Sequence, residues 1–275
     1  MTTPTVRVVV VTYSPGTLLA TCLASLRQAT VEPIEVVLAD NGSTDGEPQR
    51  AVERFGAQLR GTGGNLGYGA AANIGAAGNE APWLLVCNPD VEFAPGSVDR
   101  LLEAGRRWPR AGSLGPAVFD PDGTSYPSAR EVPTLVAGSA HAVIHPFWPG
   151  NPWTRRYRGE DVRDEQAVGW LSGSCLLLRR QAWEQVGGFD ARYFMYFEDV
   201  DIGDRLGRHG WLNVFVPSAC VTHVGGTTTA RSELRMAAAH HDSAYRFVVD
   251  RYPRPVAEVV RLGLKVRLAM LSRGG

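Results

Sequence analysis

The sequence predicts an α/β chain on a doubly wound, mostly parallel sheet flanked by helices, with further helices at the C-terminal end. Three observations carry that expectation. Apolar runs at 6–11, 34–39 and 83–87, broken only by Arg7 and Glu35, read as strands buried on both faces. Each ends in a polar turn, and segments of helical periodicity lie between them. A glycine-rich stretch from Gly61 to Gly69 runs into an alanine-rich helix that reaches Gly78.

Val6–Val11 is a β-branched strand closed by Thr12-Tyr13-Ser14-Pro15-Gly16, after which Leu18, Leu19, Cys22, Leu23 and Leu26 recur at helical spacing. Ile34–Ala39 is the second strand, closed by Asp40-Asn41-Gly42-Ser43, and Pro48–Phe55 is a helix. Trp83–Cys87 is another buried strand ending at Asn88-Pro89-Asp90. In an open sheet of this kind ligands bind beyond the carboxyl ends of the strands. The turns 12–14, 40–43 and 88–90 are therefore expected on one edge.

Pro121–Trp153 is rich in proline, glycine and aromatics and reads as loop with short elements. Val168–Arg179 is strand-like, Arg180–Val186 a short helix, and Gly187-Gly188-Phe189-Asp190 a turn. Asp199–His209 is helical, Trp211–Val216 a strand, and Arg231–Asp250 a long helix. The expected division is a unit at 1–230, with halves at about 1–120 and 121–230, followed by a helical segment at 231–275.

Over 275 residues the basic and acidic side chains both total 28, so no global field draws the chain to nucleic acid, and any anion site is local. Cys22, Cys87, Cys175 and Cys220 lack the spacing of a zinc or redox motif and are expected as buried free thiols. The N-terminus has no signal-peptide pattern, and no apolar run approaches the roughly 20 residues that span a bilayer. A cytoplasmic chain, or one attached peripherally to the cytoplasmic face of a bacterial membrane, is expected. Pro255–Ser272 interleaves Val259, Val260, Leu262 and Leu264 with Arg261, Lys265 and Arg267. That pattern suits a helix on an anionic membrane surface and equally a helix docked on the domain.

Several residue groups carry chemistry. Asp90 follows a buried strand, where one carboxylate and a hard divalent ion can hold a diphosphate. Tyr13 is placed to stack on a base, and Asp40 to accept from a pyrimidine imide N–H. Asn65, in the glycine-rich stretch, is placed near ribose or phosphate. Three carboxylates crowd Phe197-Glu198-Asp199-Val200-Asp201, a costly arrangement unless a cation, a metal or a helix N-terminus offsets it. Asp201 has Arg205 one turn on as an ion-pair partner. His223, after an apolar run, is either a structural histidine or a metal ligand.

Taken together, Val-Val-Val-Thr-Tyr at 9–13, Ala-Asp-Asn-Gly-Ser-Thr-Asp-Gly at 39–46, Gly-Asn-Leu-Gly-Tyr-Gly-Ala-Ala-Ala-Asn at 64–73, Asn-Pro-Asp at 88–90, Gly-Gly-Phe-Asp at 187–190 and Phe-Glu-Asp-Val-Asp at 197–201 resemble the family 2 glycosyltransferases. The bacterial rhamnosyltransferase branch is the most similar. The resemblance implies a GT-A fold, a dTDP- or UDP-sugar donor, Mg²⁺ or Mn²⁺, inversion by direct displacement, and a polyprenyl-linked saccharide acceptor. By the family pattern Asp199 is the general base with Glu198 beside it. Thr12, Tyr13, Asp40, Asn41, Gly42, Asn65, Gly67, Asn73, Asn88 and Asp90 bind the nucleotide sugar, and Asp90 with His223 holds the metal. Ser128, Arg130, Trp170 and Gly173 border the acceptor or sugar, as does Tyr126, and a homodimer is compatible with the pattern.

Asn88 departs from the family, standing where the first acid of its metal-binding motif is usual, which throws weight onto His223. The Gln-x-x-Arg-Trp motif of processive members is also absent, Arg205–Trp211 only echoing it, so a single addition is expected. A galactofuranosyl or hexosyl transferase with a UDP donor is the competing enzyme reading. A non-catalytic sugar-nucleotide binder is the competing reading of another class, and Asp90, Glu198 and Asp199 together argue against it.

Overall fold

The structure, a computed structural model, describes residues 4–134, 162–225 and 230–271. Its chain order is β1 (Val6–Thr12), α1 (Leu18–Ala29), β2 (Ile34–Asp40), α2 (Glu47–Phe55), β3 (Gln58–Gly61), α3 (Tyr68–Ala76), β4 (Trp83–Cys87), β5 (Val91–Phe93), α4 (Ser97–Arg107) and β6 (Ala111–Phe119). There follow β7 (Ser125–Tyr126), β8 (Ala129–Arg130), β9 (Gln166–Val168), β10 (Trp170–Leu171), β11 (Cys175–Arg179), α5 (Arg180–Val186), α6 (Glu198–Arg208), β12 (Leu212–His223), α7 (Ala230–Val249) and α8 (Arg254–Leu271).

The main sheet has the strand order β3-β2-β1-β4-β11-β6-β12-β5, with β7 on β6 and β9 on β12. Along that path β11 and β5 run against the others. The chain winds outward from β1 through β2 to β3, then returns to place β4 on the other side of β1. That reversal leaves a crevice above the carboxyl ends of β1 and β4. Thr12 is level with Asp40, and Val10 with Cys87, so the three polar turns do meet on one edge.

β1 shows why the sheet is covered on both faces. Val6, Val8 and Val10 pack with Leu19, Leu23 and Leu101 from α1 and α4, while Val9 and Val11 pack with Ala71, Ala182 and Ile202 from α3, α5 and α6. Alternate residues of a strand point to opposite faces, so a run of valines fills both cores at about 1.5 kcal/mol or more per side chain. Arg7 is the one charge in that strand, neutralised by Glu35 at 2.7 Å and bonded to the Ala77 carbonyl at 2.9 Å.

β5, α4 and β6 fill residues 91–119, and α4 buries Val98, Leu101 and Leu102 on one face. β6 contains Gly112, Gly115 and Pro116, which do not read as a strand. The glycines are imposed by packing, since a Cβ at Gly115 would lie 2.9 Å from Leu171 and one at Gly112 2.7 Å from Trp211. The strand expected at 211–216 and the apolar run before His223 are one element, β12, with its register interrupted between Val216 and Cys220. The strand-like stretch 168–179 divides into β9, β10 and β11 around a Ser172-Gly173-Ser174 turn. Beyond residue 134 the Pro121–Trp153 segment lies outside the described residues.

α7 and α8 form an antiparallel pair tied to α6 through Arg251. Its guanidinium sits 3.1 Å from Asp201 and 2.6 Å from Asp204, over the Phe247 ring. Arg205 pairs with Asp201 at 2.7 Å, as the spacing predicts, and donates to the Val186 and Gly188 carbonyls. Each buried carboxylate on this side of α6 is thus compensated. All four cysteines are free, Cys220 only half-buried and the other three buried. Among the described residues no helix is long and apolar enough to cross a membrane.

Candidate functional site

A cavity of about 610 Å³ opens at the β1/β4 edge, and its wall includes Tyr13, Asn65, Asp90, Glu198, Asp199 and His223. Asn41, Gly67, Asn88 and Gly173 line it as well. Thr12, Asp40, Gly42, Asn73, Ser128, Arg130 and Trp170 stand behind or beside it.

The floor is built by β1 and β2. Thr12 is fully buried, and its hydroxyl donates to Asp40 Oδ1 at 3.1 Å, where the Ser43 N–H also arrives at 3.1 Å. Asp40 Oδ2 has no hydrogen-bond partner among the described residues, so the carboxylate is fixed by one oxygen and presents the other. Tyr13 is 59% exposed, its ring unobstructed for stacking.

Asn41 is occupied at both ends. Its amide donates to Asn65 Oδ1 and to the Gly67 carbonyl, and its oxygen accepts from Leu66 N–H and the Thr62 hydroxyl. It clamps the glycine-rich loop and has no donor left for a ligand. Gly42 and Gly67 adopt φ of 94° and 90°, in the region that disfavours a side chain. At Gly67 a Cβ would also collide with the Phe194 carbonyl, which bonds to the Tyr68 N–H at 3.1 Å.

Asn73 is a correction to the sequence expectation. Its side chain exchanges two hydrogen bonds with the Phe189 backbone at 2.8 and 2.9 Å and does not reach the cavity. A side-chain amide carries the same donor and acceptor pair as a peptide, so Asn73 splices α3 to the Gly187–Asp190 turn instead of contacting a nucleotide.

Asp90 and His223 converge because β5 pairs with the end of β12, His223 opposite Val91, and the Val224 N–H bonds to the Asp90 carbonyl at 3.0 Å. His223 Nε2 lies 3.2 Å from Asp90 Oδ1 and 3.1 Å from the Asn88 side-chain nitrogen. Asp90 Oδ1 is buried without a hydrogen bond of good geometry. Contact with Asp90 raises the His223 pKa against the opposing effect of burial. One imidazole nitrogen cannot both accept from an amide and donate to a carboxylate. This is a polar cluster left unsatisfied by its own members.

Glu198 and Asp199 open α6 after two non-glycine residues of positive φ, Tyr196 at 65° and Phe197 at 66°. Each such residue costs on the order of 1–2 kcal/mol. The strain turns the chain so that both acids enter the cavity at the helix N-terminus, whose unpaired N–H groups favour negative charge. Asp199 Oδ2 accepts the Gly173 N–H at 2.9 Å and Oδ1 the Val200 N–H at 2.8 Å. Glu198 is only 7% exposed, and its Oε2 has no partner among the described residues.

Burial, then the charge of Asp199, pushes the Glu198 pKa up to about 8. Burial raises Asp199 too, but the Gly173 and Val200 N–H groups and the positive charge of Arg130 pull it back. Two adjacent acids in unlike environments titrate as a pair: near neutrality Glu198 holds a proton, while the two N–H groups on Asp199 favour its carboxylate form.

Sequence reasoning missed Tyr68, whose hydroxyl donates to the Gly173 carbonyl at 2.6 Å and thereby fixes the turn that holds Asp199. Burial raises its pKa well above the usual phenol value, keeping it a donor. Its position inside the Gly64–Asn73 motif was the available signal. Trp170 contributes no cavity wall, its indole N–H donating to the Glu131 carbonyl at 3.0 Å, and Ser128 is likewise turned to the Pro116 carbonyl at 3.0 Å.

The profile of Glycosyl transferase family 2 matches residues 7–187. N-acetylglucosaminyl-diphospho-decaprenol L-rhamnosyltransferase of Mycobacterium tuberculosis (strain H37Rv) is 54% identical over 278 aligned positions, covering 96% of this chain and 91% of the relative. Among solved structures, the Pyrobaculum calidifontis mannosyltransferase PcManGT in complex with GDP-Man and Mn²⁺ superposes with a TM-score of 0.60 at 17% identity, over 98% of this chain and 70% of that one. GalNAc-T7 with UDP, GalNAc and Mn²⁺ gives a TM-score of 0.59 at 15% identity, over 86% of this chain and 48% of its own. The shared architecture is the GT-A fold.

Proposed function

The chain belongs to glycosyl transferase family 2, and from that premise we propose that it transfers L-rhamnose, with inversion, from dTDP-rhamnose to N-acetylglucosaminyl-diphospho-polyprenol. The observation that carries the chemistry is that one cavity holds both the Asp90–His223 pair and the Glu198–Asp199 pair. The first suits a diphosphate, the second a sugar hydroxyl. The sugar and the acceptor rest on the relative that matches this chain almost end to end and is named for them.

Asp199 accepts the proton of the acceptor hydroxyl as that oxygen bonds to the anomeric carbon. The bond from this carbon to the donor phosphate oxygen breaks, and its electron pair leaves with the nucleoside diphosphate. Attack on the face opposite the leaving group inverts the centre. Gly173 and Val200 hold the carboxylate still, and Tyr68 holds Gly173. Glu198, protonated, adds no second charge beside the base. On the donor side Tyr13 stacks on the base, Asp40 Oδ2 accepts the imide N–H, and Asn65 offers to ribose or phosphate an amide nitrogen that has no partner among the described residues.

The residues at Asp90 fit a divalent cation. A buried carboxylate oxygen without a hydrogen bond lies beside an imidazole nitrogen, and two protein ligands leave positions for phosphate oxygens. Asp90 and His223 would hold Mg²⁺ or Mn²⁺, which supplies positive charge to the departing diphosphate.

Residues 1–230 form the transferase unit in this scheme, and 231–275 serve attachment. α8 buries Ala257 and half-buries Val260 and Leu264, while Val259 and Leu262 are 73% and 65% exposed beside Arg261 and Lys265. One apolar stripe docks and a second, with its cations, suits an anionic bilayer carrying the lipid acceptor. A donor panel of dTDP-rhamnose, UDP-galactofuranose and UDP-glucose against a polyprenyl-linked acceptor tests the function. Turnover is expected with the first, and preference for a UDP-sugar would overturn it.

A further inference from the structure

Beside the reaction cavity lies a second one, of about 670 Å³, lined by Tyr126, Ser128, Arg130, Arg163 and Phe215 among others. Tyr126 belongs to the wall of both. The backbone joins them closely. Arg130 and Trp170 are paired across β8 and β10, the Ser172 N–H bonds to the Ser128 carbonyl at 2.7 Å, and the next residue, Gly173, donates to Asp199.

Arg130 is held in an unusual way for a side chain with no carboxylate partner among the described residues. Its guanidinium carbon lies 5.6 Å from the Tyr126 ring centre and 5.4 Å from that of Trp170. Its Nε donates to the Pro127 carbonyl at 2.9 Å, and Trp170 is itself fixed by Glu131. The two terminal nitrogens are left without a partner there. A planar fork, stacked and tethered through Nε, has lost most of its rotamer freedom before any ligand arrives, and it matches two phosphate oxygens.

The proposed reaction needs such a group. Both substrates carry a diphosphate, and the donor's is accounted for by Asp90 and His223. The acceptor's approaches a cavity that already holds the Asp199 carboxylate and the donor's own diphosphate, in a chain whose formal charges cancel, so no global attraction offsets the repulsion.

We propose that the Arg130 cavity is a second diphosphate site, in which Arg130, supported by the exposed Arg163, binds the diphosphate of the lipid-linked acceptor and sets its sugar hydroxyl against Asp199. The inference rests on the transferase reading for its ligand, though the anion site stands on its own geometry.

Calorimetric titration separates the two. Wild type, Arg130→Ala and Arg130→Lys are titrated with a short-chain N-acetylglucosaminyl-diphospho-prenol, an uncharged alkyl N-acetylglucosaminide, and dTDP. Arg130→Ala is expected to weaken the diphosphate acceptor about 10- to 100-fold, as befits the loss of a charge-assisted pair, with dTDP and the alkyl glycoside unchanged. Arg130→Lys, keeping the charge without the fork, should fall between, and Arg163→Ala should lose less than Arg130→Ala. Equal weakening of both acceptor analogues, or no weakening of either, would overturn the proposal. Absence of rhamnosyl transfer by the wild type, with the binding pattern intact, would instead fault the transferase reading and leave the site standing.

Discussion

Asn41 and Glu198 are both more than nine-tenths buried beside the same cavity, yet they are treated in opposite ways. Asn41 uses its amide group and its oxygen in four hydrogen bonds that hold the glycine-rich loop. Glu198 Oε2 has none, and the chain reaches it through two residues in a disfavoured backbone conformation. Recognition of a nucleotide asks that the loop shaping its site stand still, so the glycine-rich loop is saturated with internal bonds. Proton transfer asks for groups whose charge is poised to change, and these must be kept unsatisfied at a cost in stability.

The sharpest way to break this contrast is Asp199→Asn. We expect kcat to fall about 10³-fold while dTDP affinity measured by calorimetry is unchanged; wild-type turnover would remove Asp199 from the role. On the saturated side Gly67→Ala forces a methyl group into the Phe194 carbonyl at φ 90°. A loss of about 3 kcal/mol of unfolding free energy should appear in denaturant titration.

Glu198→Gln should do the reverse and stabilise. The folded pKa of about 8 lies above the value of 4.5 for an unperturbed glutamate, so in wild type the destabilisation is absent below the unfolded value and grows as pH rises toward the folded one. The variant's advantage should therefore be near zero at pH 4 and grow to several kcal/mol above pH 8, at about 1.4 kcal/mol for each pKa unit. Thermal melts across that range would read it, and a constant difference would mean that Glu198 is not protonated near neutrality. The smallest effect expected is Asp90→Ala. It should weaken dTDP binding about 10- to 30-fold with Mn²⁺ present, as expected for one charged ligand, and little without it.

The core of the fold was legible because β1, β2 and β4 are buried on both faces, so their sequences are apolar without alternation. β6 was not, since Gly112, Gly115 and Pro116 there answer to Trp211, Leu171 and the Ser128 hydroxyl, partners distant in sequence. The same division runs through the site. Asp201 and Arg205 announce their pairing at one helical turn, and the motif residues announce the cavity. The grip of Gly173 on Asp199 depends on a contact across 26 positions, and that of Tyr68 on Gly173 across 105. Asn73 misled for a related reason, since a motif records that a side chain matters without recording whether it binds a ligand or a backbone.

Arg251 adds a temporal consequence. The buried Asp201 and the neighbouring Asp204 are 50 and 47 positions ahead of the guanidinium that neutralises them. A polypeptide emerges from its amino end, so α6 leaves the ribosome with part of its acidic face uncompensated and can seat firmly only when the α7–α8 turn follows. The hydrogen bonds by which Asn41 clamps the glycine-rich loop close within residues 41–67, whereas Asp90 meets His223 only 133 positions later. The loop clamp can thus form early in synthesis, while the Asp90–His223 pair must await the end of β12 and the firm seating of α6 must await Arg251, so the two sides of the cavity are completed in that order.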